Sequence, residues 1–141
     1  MLYDVFMPTN SHAPIILFMH GFNGFKDWGH FDLIAQKFAE AGFCFVKFNT
    51  SHNGTTPAEP EAFADAEAFG QNNYTKELYD LKVMIDLILD DRADLFYGCD
   101  QTGVYLIGHS RGGGIVLLQA AEDTRIKAVT TWASVSECKT P

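Results

Sequence analysis

VYLIGHSRGGGIVLLQAA (residues 104–121) places a single serine, Ser110, between glycines at the junction of two apolar runs. The β-forming residues before the serine predict a buried strand, and the apolar residues after it, from Gly114, predict a helix. A serine on a tight strand-to-helix turn is the setting of a nucleophile elbow. The alternatives are a glycine-rich turn with a capping serine and a phosphate-binding loop, but the phosphate-loop patterns G-x-x-x-x-G-K-[ST] and G-x-G-x-x-G are absent.

The glycines have a steric reason in such a turn. A strained serine backbone typically costs about 1–3 kcal/mol, and side chains two residues away on either side would collide. Gly108 and Gly112 leave that space, while Gly113 and Gly114 allow the helix to pack closely on the sheet. The N-terminus of the helix presents free N–H groups that favour developing negative charge.

Outward from the elbow, apolar runs alternate with helical patterns. Strands are predicted at LYDVFM (2–7), IILFMH (15–20), FCFVKF (43–48) and KAVTTWAS (127–134), with helices at 31–41 and 78–89. This order predicts an α/β fold: a mostly parallel sheet with helices on both faces. Residues 50–73 form a long connection, which is typical of a functional loop or one with its own short helix.

Size and charge limit the classes of protein. The 141 residues fit one domain, with 47% apolar residues and twelve phenylalanines for a core. The net charge of −8 argues against nucleic acid or an anionic membrane as a partner. Three widely spaced cysteines, Cys44, Cys99 and Cys138, indicate neither a zinc site nor a disulfide framework.

The compartment is left open by the sequence. The cysteine usage favours a reducing compartment such as the cytoplasm, and no apolar run is long enough to span a membrane. The chain begins almost inside a strand, which suggests that the N-terminus has been cut.

A second candidate motif, MHGFNG (19–24), follows an earlier buried strand. Acyl transfer needs two preorganised N–H donors for the oxyanion, and losing one typically costs about 2.7–4 kcal/mol. The residue after the nucleophile, Arg111, supplies one donor, and Phe22, just after His20 and Gly21, is placed to supply the other.

Together, HGF (20–22) and GHSRGG (108–113) resemble the α/β-hydrolase superfamily. Within it the chain is most similar to dienelactone-hydrolase-like and serine-aminopeptidase-like members, a group with many acyl esterases. The turn FNTSHNGTT (48–56) supports the resemblance, which runs from Leu2 to about Ser136. It implies an eight-stranded sheet, Ser110 as nucleophile, Phe22 and Arg111 as backbone oxyanion donors, and a triad in the order serine, acid, histidine. It also implies support of the site by His20, Gly21, Gly108, His109 and Gly112.

The expected triad partners are missing from the sequence. No histidine follows Ser110, and the only later acids are Glu122, Asp123 and Glu137. Asp123 falls at the end of the helix after the elbow, the wrong place for the triad acid. His20 is expected to shape the oxyanion loop, His109 to point away from the nucleophile, and His52 to be the only conceivable substitute base. The chain therefore resembles the N-terminal half of a hydrolase domain, with acid and histidine beyond Pro141.

The sequence favours a serine hydrolase acting on an ester or other acyl bond of a small molecule, without metal or organic cofactor. The alternative is a non-catalytic binding domain of the same fold. Lys26, Asp27 and Trp28 form either a substrate mouth or, in preference, a solvated turn. The Arg111 side chain either binds a substrate carboxylate or makes a surface ion pair. The last strand is expected to be a bare edge that promotes self-association.

Overall fold

The computed structural model describes residues 1–90 and 94–139, and in those ranges it contains five strands and four α-helices. The strands are β1 (Tyr3–Phe6), β2 (Ala13–Met19), β3 (Cys44–Phe48), β4 (Cys99–His109) and β5 (Ile126–Trp132). The helices are α1 (Phe31–Glu40), α2 (Ala66–Gly70), α3 (Tyr74–Ile88) and α4 (Arg111–Glu122), and a 3₁₀ turn spans Asp94–Phe96.

The strands form one sheet in the order β1-β3-β2-β4-β5. All neighbouring pairs are parallel except β1 and β3, which are antiparallel. Helix α1 packs on one face with Ile16, Phe18 and Phe45, and helices α3 and α4 pack on the other with Leu17, Val46 and Leu106. The predicted α/β fold, with a mostly parallel sheet and helices on both faces, is confirmed.

Some boundaries differ from the predicted ones. Helix α4 begins at Arg111 rather than Gly114, so it starts directly after Ser110. Strand β4 begins at Cys99, five residues before the apolar run that predicted it, because its polar start pairs with Ala13 and Pro14. The long connection carries α2, whose N-cap Asp65 accepts a hydrogen bond from Ala68 N–H. None of the described helices combines the length and apolar character needed to cross a bilayer.

Strand β5 is an outer strand of the sheet, as the sequence predicts. Its residues Ala128 and Thr130 are exposed, and with Trp132 they line an apolar hollow of about 200 Å³ on the α1 side. An unpaired strand beside an apolar surface offers both hydrogen-bonding groups and contact area to a second chain.

We expect the isolated 141-residue chain to self-associate through β5, and the double variant Ala128→Lys/Thr130→Lys to be monomeric, since charges on an edge strand oppose pairing. Size-exclusion chromatography with light scattering at tens of micromolar measures this. The control Gln36→Lys/Gln71→Lys adds the same charge at exposed positions elsewhere. A monomeric parent chain, or equal rescue by the control, would contradict the prediction.

Candidate active site

Ser110 sits at the strand-to-helix junction in a conformation that few residues other than glycine adopt. Its φ is 54° and its ψ is −119°, a backbone region that typically costs about 1–3 kcal/mol. Three hydrogen bonds hold it there: Ser110 N–H donates to Trp132 O (2.9 Å), and Ser110 O accepts from Gly113 (3.0 Å) and Val135 (3.2 Å). The backbone turns sharply and presents the side chain above the N-terminus of α4.

Two glycines make this turn sterically possible. A Cβ on Gly108 would lie 2.7 Å from the Cα of Gly113, and a Cβ on Gly112 would lie 2.5 Å from Met19 O and still closer to His20 O. Both contacts are with backbone atoms, which cannot move aside as a flexible side chain does. A Cβ on Gly113 would meet Ser134, in the segment that follows β5, and not the sheet itself.

We expect Gly112→Ala to destabilise the fold by about 1–3 kcal/mol or more, because it forces α4 away from the end of β2. Gly70→Ala is the matched control: a Cβ there meets no heavy atom within 4 Å, so its effect should stay within about 0.5 kcal/mol. Urea unfolding of both variants provides the comparison. Equal free energies of unfolding for the two variants would contradict this prediction, because they would show that the structure around residue 112 can shift to accept a Cβ.

The loop of residues 20–28 lies directly against Ser110. A Cβ on Gly21 would be 3.0 Å from the Cβ of Ser110, a tighter contact than most Cβ atoms make, so any larger residue there would push the two apart. Neither the N–H of Phe22 nor that of Arg111 donates to a protein acceptor within the described ranges. Both N–H groups therefore stay without a hydrogen-bond partner in the described part of the chain.

His20 anchors the start of this loop from a buried position. Its Nδ1 donates to Gly21 O (2.9 Å), and its Nε2 accepts from Thr50 N–H (3.3 Å). Burial, opposed by the hydrogen bond to Gly21 and aided by nearby His109, lowers the pKa of His20 from 6.5 to about 4. A neutral imidazole with one fixed tautomer results, and it joins the 20–28 loop to the end of β3.

The lowered pKa predicts how stability depends on pH. Between pH 6.5 and 4 the unfolded chain protonates His20 whereas the folded chain does not, so stability falls as the pH decreases through this window, by up to about 3 kcal/mol. We expect His20→Gln to remove that part of the fall. Urea titrations at pH 7 and pH 4.5 measure it, with exposed His30→Gln as the control. Parallel pH profiles for His20→Gln and the parent would contradict the assignment.

Two asparagines after β3 hold the rest of the loop, and sequence reasoning missed them. Asn49 Oδ1 accepts from Lys26 N–H (2.6 Å), and Asn53 Nδ2 donates to Gly24 O (3.1 Å). Both asparagines are buried. The sequence feature that could have identified them is the polar turn FNTSHNGTT, because side chains of this turn form hydrogen bonds to the neighbouring loop.

A cluster of charged residues fixes the far end of the loop. Lys26 Nζ donates to Asp4 (2.6 Å) and Asp27 (2.6 Å), and the fully buried Lys47 contacts Asp4, Asp27 and Asp32. Burial by itself would lower the pKa of Lys47. The hydrogen bonds to the aspartates have the larger combined effect, so the pKa is raised above its usual value. The prediction of a solvated turn is thus wrong for Lys26 and Asp27, whose charges are partnered inside the fold.

The carboxylates of Asp4, Asp27 and Asp32 lie close enough together to suggest a metal site, with ligand oxygens within 4.8 Å of one another. The ammonium groups of Lys26 and Lys47 already lie among those oxygens and neutralise two of the three negative charges. Protonated lysines therefore already occupy the place that a cation would take among these carboxylates.

The Arg111 side chain is buried, which corrects both interpretations made from the sequence. Its Nε donates to Glu77 Oε2 (2.7 Å), and its guanidinium carbon lies 3.8 Å from the ring centroid of Tyr74. Asn72 Nδ2 donates to the other oxygen of Glu77 (3.0 Å). The side chain thus joins α4 to the start of α3, while the backbone N–H of Arg111 stays at the elbow.

Neither His52 nor His109 contacts the serine through a hydrogen bond in the described ranges. His52 Nδ1 lies 2.7 Å from Ser51 Oγ, and that hydroxyl also donates to the buried carboxylate of Asp80 (2.8 Å). His109 stacks on Trp28, with ring centroids 6.4 Å apart. Asp123 pairs with Arg125 at the end of α4, as its position in the sequence predicts.

A cavity of about 280 Å³ opens at Ser110 between the elbow and the 20–28 loop. Aromatic rings form much of its wall. Its lining consists of Gly21, Phe22, Asn23, Gly24, Trp28, Phe31, His109 and Ser110. Phe22 and Trp28 are 55% and 51% exposed, so Trp28 does line the mouth of a pocket. The arrangement can hold a small molecule with its polar end at Ser110 and its apolar part against the rings.

Comparison with known proteins identifies the fold. No curated protein matches the sequence. The fold matches the α/β hydrolase GrgF from Penicillium sp. sh18 at a TM-score of 0.72 and 19% identity, over 92% of this chain and 40% of that one. It matches the hypothetical protein PA2218 from Pseudomonas aeruginosa at 0.73 and 25%, over 94% and 38%.

A third similar structure is Est1E from Butyrivibrio proteoclasticus with bound ferulic acid, at a TM-score of 0.68 and 24% identity, over 91% of this chain and 46% of that one. The chain therefore spans less than half the length of each of these three structures. The family model described as "alpha/beta hydrolase fold" matches residues 14–141. The chain belongs to the α/β-hydrolase fold family.

Proposed function

We propose that this chain carries the nucleophile and oxyanion site of a serine hydrolase that cleaves an ester or other acyl bond. The observation that carries the proposal is the conformation of Ser110: a φ of 54° at the end of β4, directly before α4 and at the mouth of a cavity. Strain of this kind is kept where surrounding structure enforces it, and it is concentrated at functional sites.

In the proposed reaction, Ser110 Oγ attacks the carbonyl carbon of the substrate and the carbonyl oxygen becomes an oxyanion. The free N–H groups of Phe22 and Arg111 stabilise that charge. The positive end of the α4 dipole favours the same charge. His20, Asn49 and Asn53 keep the Phe22 donor in place through their hydrogen bonds to the 20–28 loop.

The cavity favours a small acyl group with a flat apolar part. Phe22, Trp28, Phe31 and the His109 ring surround the space beside Ser110, and aromatic side chains prefer stacked or edge-on contact with other rings. Ferulic acid, the aromatic acid bound in the Est1E structure, has this shape. An aromatic or short-chain acyl ester is thus the substrate class that the wall accommodates.

Ser110 needs a general base, and we propose that a histidine and an acid outside residues 1–141 supply it. The histidines closest to the site have other contacts: His20 with Gly21 and Thr50, His52 with Ser51, and His109 with Trp28. This chain covers only 38–46% of the matched structures, which leaves room for such residues.

A fluorophosphonate probe tests the proposal by peptide mapping on the whole protein. An activated serine displaces fluoride and forms a stable phosphonyl ester. We expect the label on Ser110, none on Ser110→Ala, and an unchanged yield on Ser134→Ala, whose hydroxyl lies nearby beyond the elbow. A folded whole protein with no label at Ser110 would overturn the proposal in favour of a non-catalytic binding domain.

A further inference from the structure

Three sulfur atoms meet at the end of the sheet opposite Ser110. Met7 Sδ lies 3.6 Å from Cys44 Sγ and 4.0 Å from Cys99 Sγ, and both cysteines are free thiols. Cys99 begins β4 whereas Ser110 follows the last residue of that strand, so the group is separate from the proposed active site. The reaction proposed for Ser110 does not use it.

The sheet register explains why these sulfurs converge. Cys44 pairs with Ile15 and Cys99 pairs with Ala13, so both side chains lie on the same face of the sheet, on either side of β2. Ala13, on β2 between the two cysteines, is fully buried and has a small side chain. Met7 follows β1, contacts both thiols and is 46% exposed.

A disulfide does not fit this arrangement. Strand β2 separates β3 from β4, and the two cysteines pair with different residues of β2. Their Cα atoms are therefore at least two strand spacings, about 9–10 Å, apart. A disulfide requires Cα atoms within about 7 Å. The two thiols can instead be joined by an atom that lies between them.

We propose that Met7, Cys44 and Cys99 form a three-coordinate binding site for Cu(I), a soft monovalent cation. Metal–sulfur bonds of about 2.3 Å in a trigonal arrangement place neighbouring sulfurs about 4 Å apart, which agrees with the 3.6 and 4.0 Å measured here. Thiolate with thioether is the donor set that selects Cu(I). Within the described ranges, no histidine or carboxylate joins the two thiols as a third ligand, so zinc lacks its usual four.

The charge of the site changes on binding. Cys44 and Cys99 are free thiols in the protein without a metal. Cu(I) forms one bond to each sulfur, the two thiols release their protons to solvent, and the Met7 thioether donates a lone pair. No electron is transferred, and the site passes from neutral to a single negative charge. The partly exposed Met7 provides the route of entry.

Competition between the anaerobic protein and the chromophoric chelator bicinchoninate tests the proposal with Cu(I) itself. We expect one Cu(I) per chain in the parent and in Cys138→Ser, which removes the exposed cysteine elsewhere. We expect Cys99→Ser to lose this binding. Met7→Leu preserves an apolar side chain at an exposed position, so it should fold and bind at least about tenfold more weakly, since even ligand-supporting residues are worth about 10–100-fold.

X-ray absorption of the loaded parent should show three sulfur neighbours at about 2.3 Å. Equal affinity of Met7→Leu and the parent would overturn the proposal, because the thioether would then not be a ligand. Loss of binding in Cys138→Ser, or formation of a Cys44–Cys99 disulfide in air, would also overturn it. None of these outcomes depends on the reaction proposed for Ser110.

Discussion

Ser110→Ala in the whole protein is expected to reduce kcat for an aromatic or short-chain ester by about four to six orders of magnitude, with little change in KM or stability. Alanine removes only the Oγ atom, and the strained backbone of residue 110 remains held by Trp132, Gly113 and Val135. A nucleophile that acts as a unit with its base accounts for nearly all of the chemical step when it is removed. Residual turnover would come from the oxyanion donors and substrate binding alone.

Steady-state hydrolysis of a phenyl or nitrophenyl ester measures this loss, and Ser134→Ala provides the control. Ser134 lies against Gly113, and its hydroxyl donates to Val135 O rather than facing the cavity, so its removal should change kcat less than about threefold. A fall of only a few-fold in Ser110→Ala, at full stability, would show that another group attacks the carbonyl.

Local patterns in the sequence predicted most of the fold. The apolar run at 15–20, the helical spacing at 31–41 and the glycines around Ser110 depend on neighbours within a few residues, and the structure places a strand, a helix and the turn there. The tight turn at Ser110 was predictable for the same reason, since Gly108 and Gly112 are required by close contacts within the turn and with the adjoining end of β2.

The asparagine and arginine supports of the site could not be predicted in this way, because each of them joins residues distant in sequence. Asn49 accepts a hydrogen bond from Lys26, which lies 23 positions away in the sequence, and Arg111 donates one to Glu77, which lies 34 positions away. A lysine within the apolar pattern FCFVKF gave no sign of its partners, which lie on β1, on the 20–28 loop and at the start of α1. Composition cannot distinguish such buried pairs from surface charges.

The buried ion pair between Glu77 and Arg111 is also expected to have a large effect on stability. Glu77→Ala is expected to lower the free energy of unfolding by about 3–5 kcal/mol, because it leaves the buried Arg111 guanidinium without its counter-charge. It also removes the acceptor of Asn72 Nδ2. The Tyr74 ring under the guanidinium offsets only part of this, since a cation–π contact is worth about 0.5–2 kcal/mol.

Two further variants make the test specific to burial. Lys82→Ala breaks an exposed ion pair with Asp86 on the same helix, and we expect it to cost at most about 1 kcal/mol. Glu77→Leu/Arg111→Leu removes both buried charges at once, and it should recover much of the stability lost in Glu77→Ala. Urea unfolding of the three variants decides the point. If Glu77→Ala cost no more than Lys82→Ala, water would be reaching Arg111, and the α3–α4 contact beneath the elbow would be held by apolar packing instead.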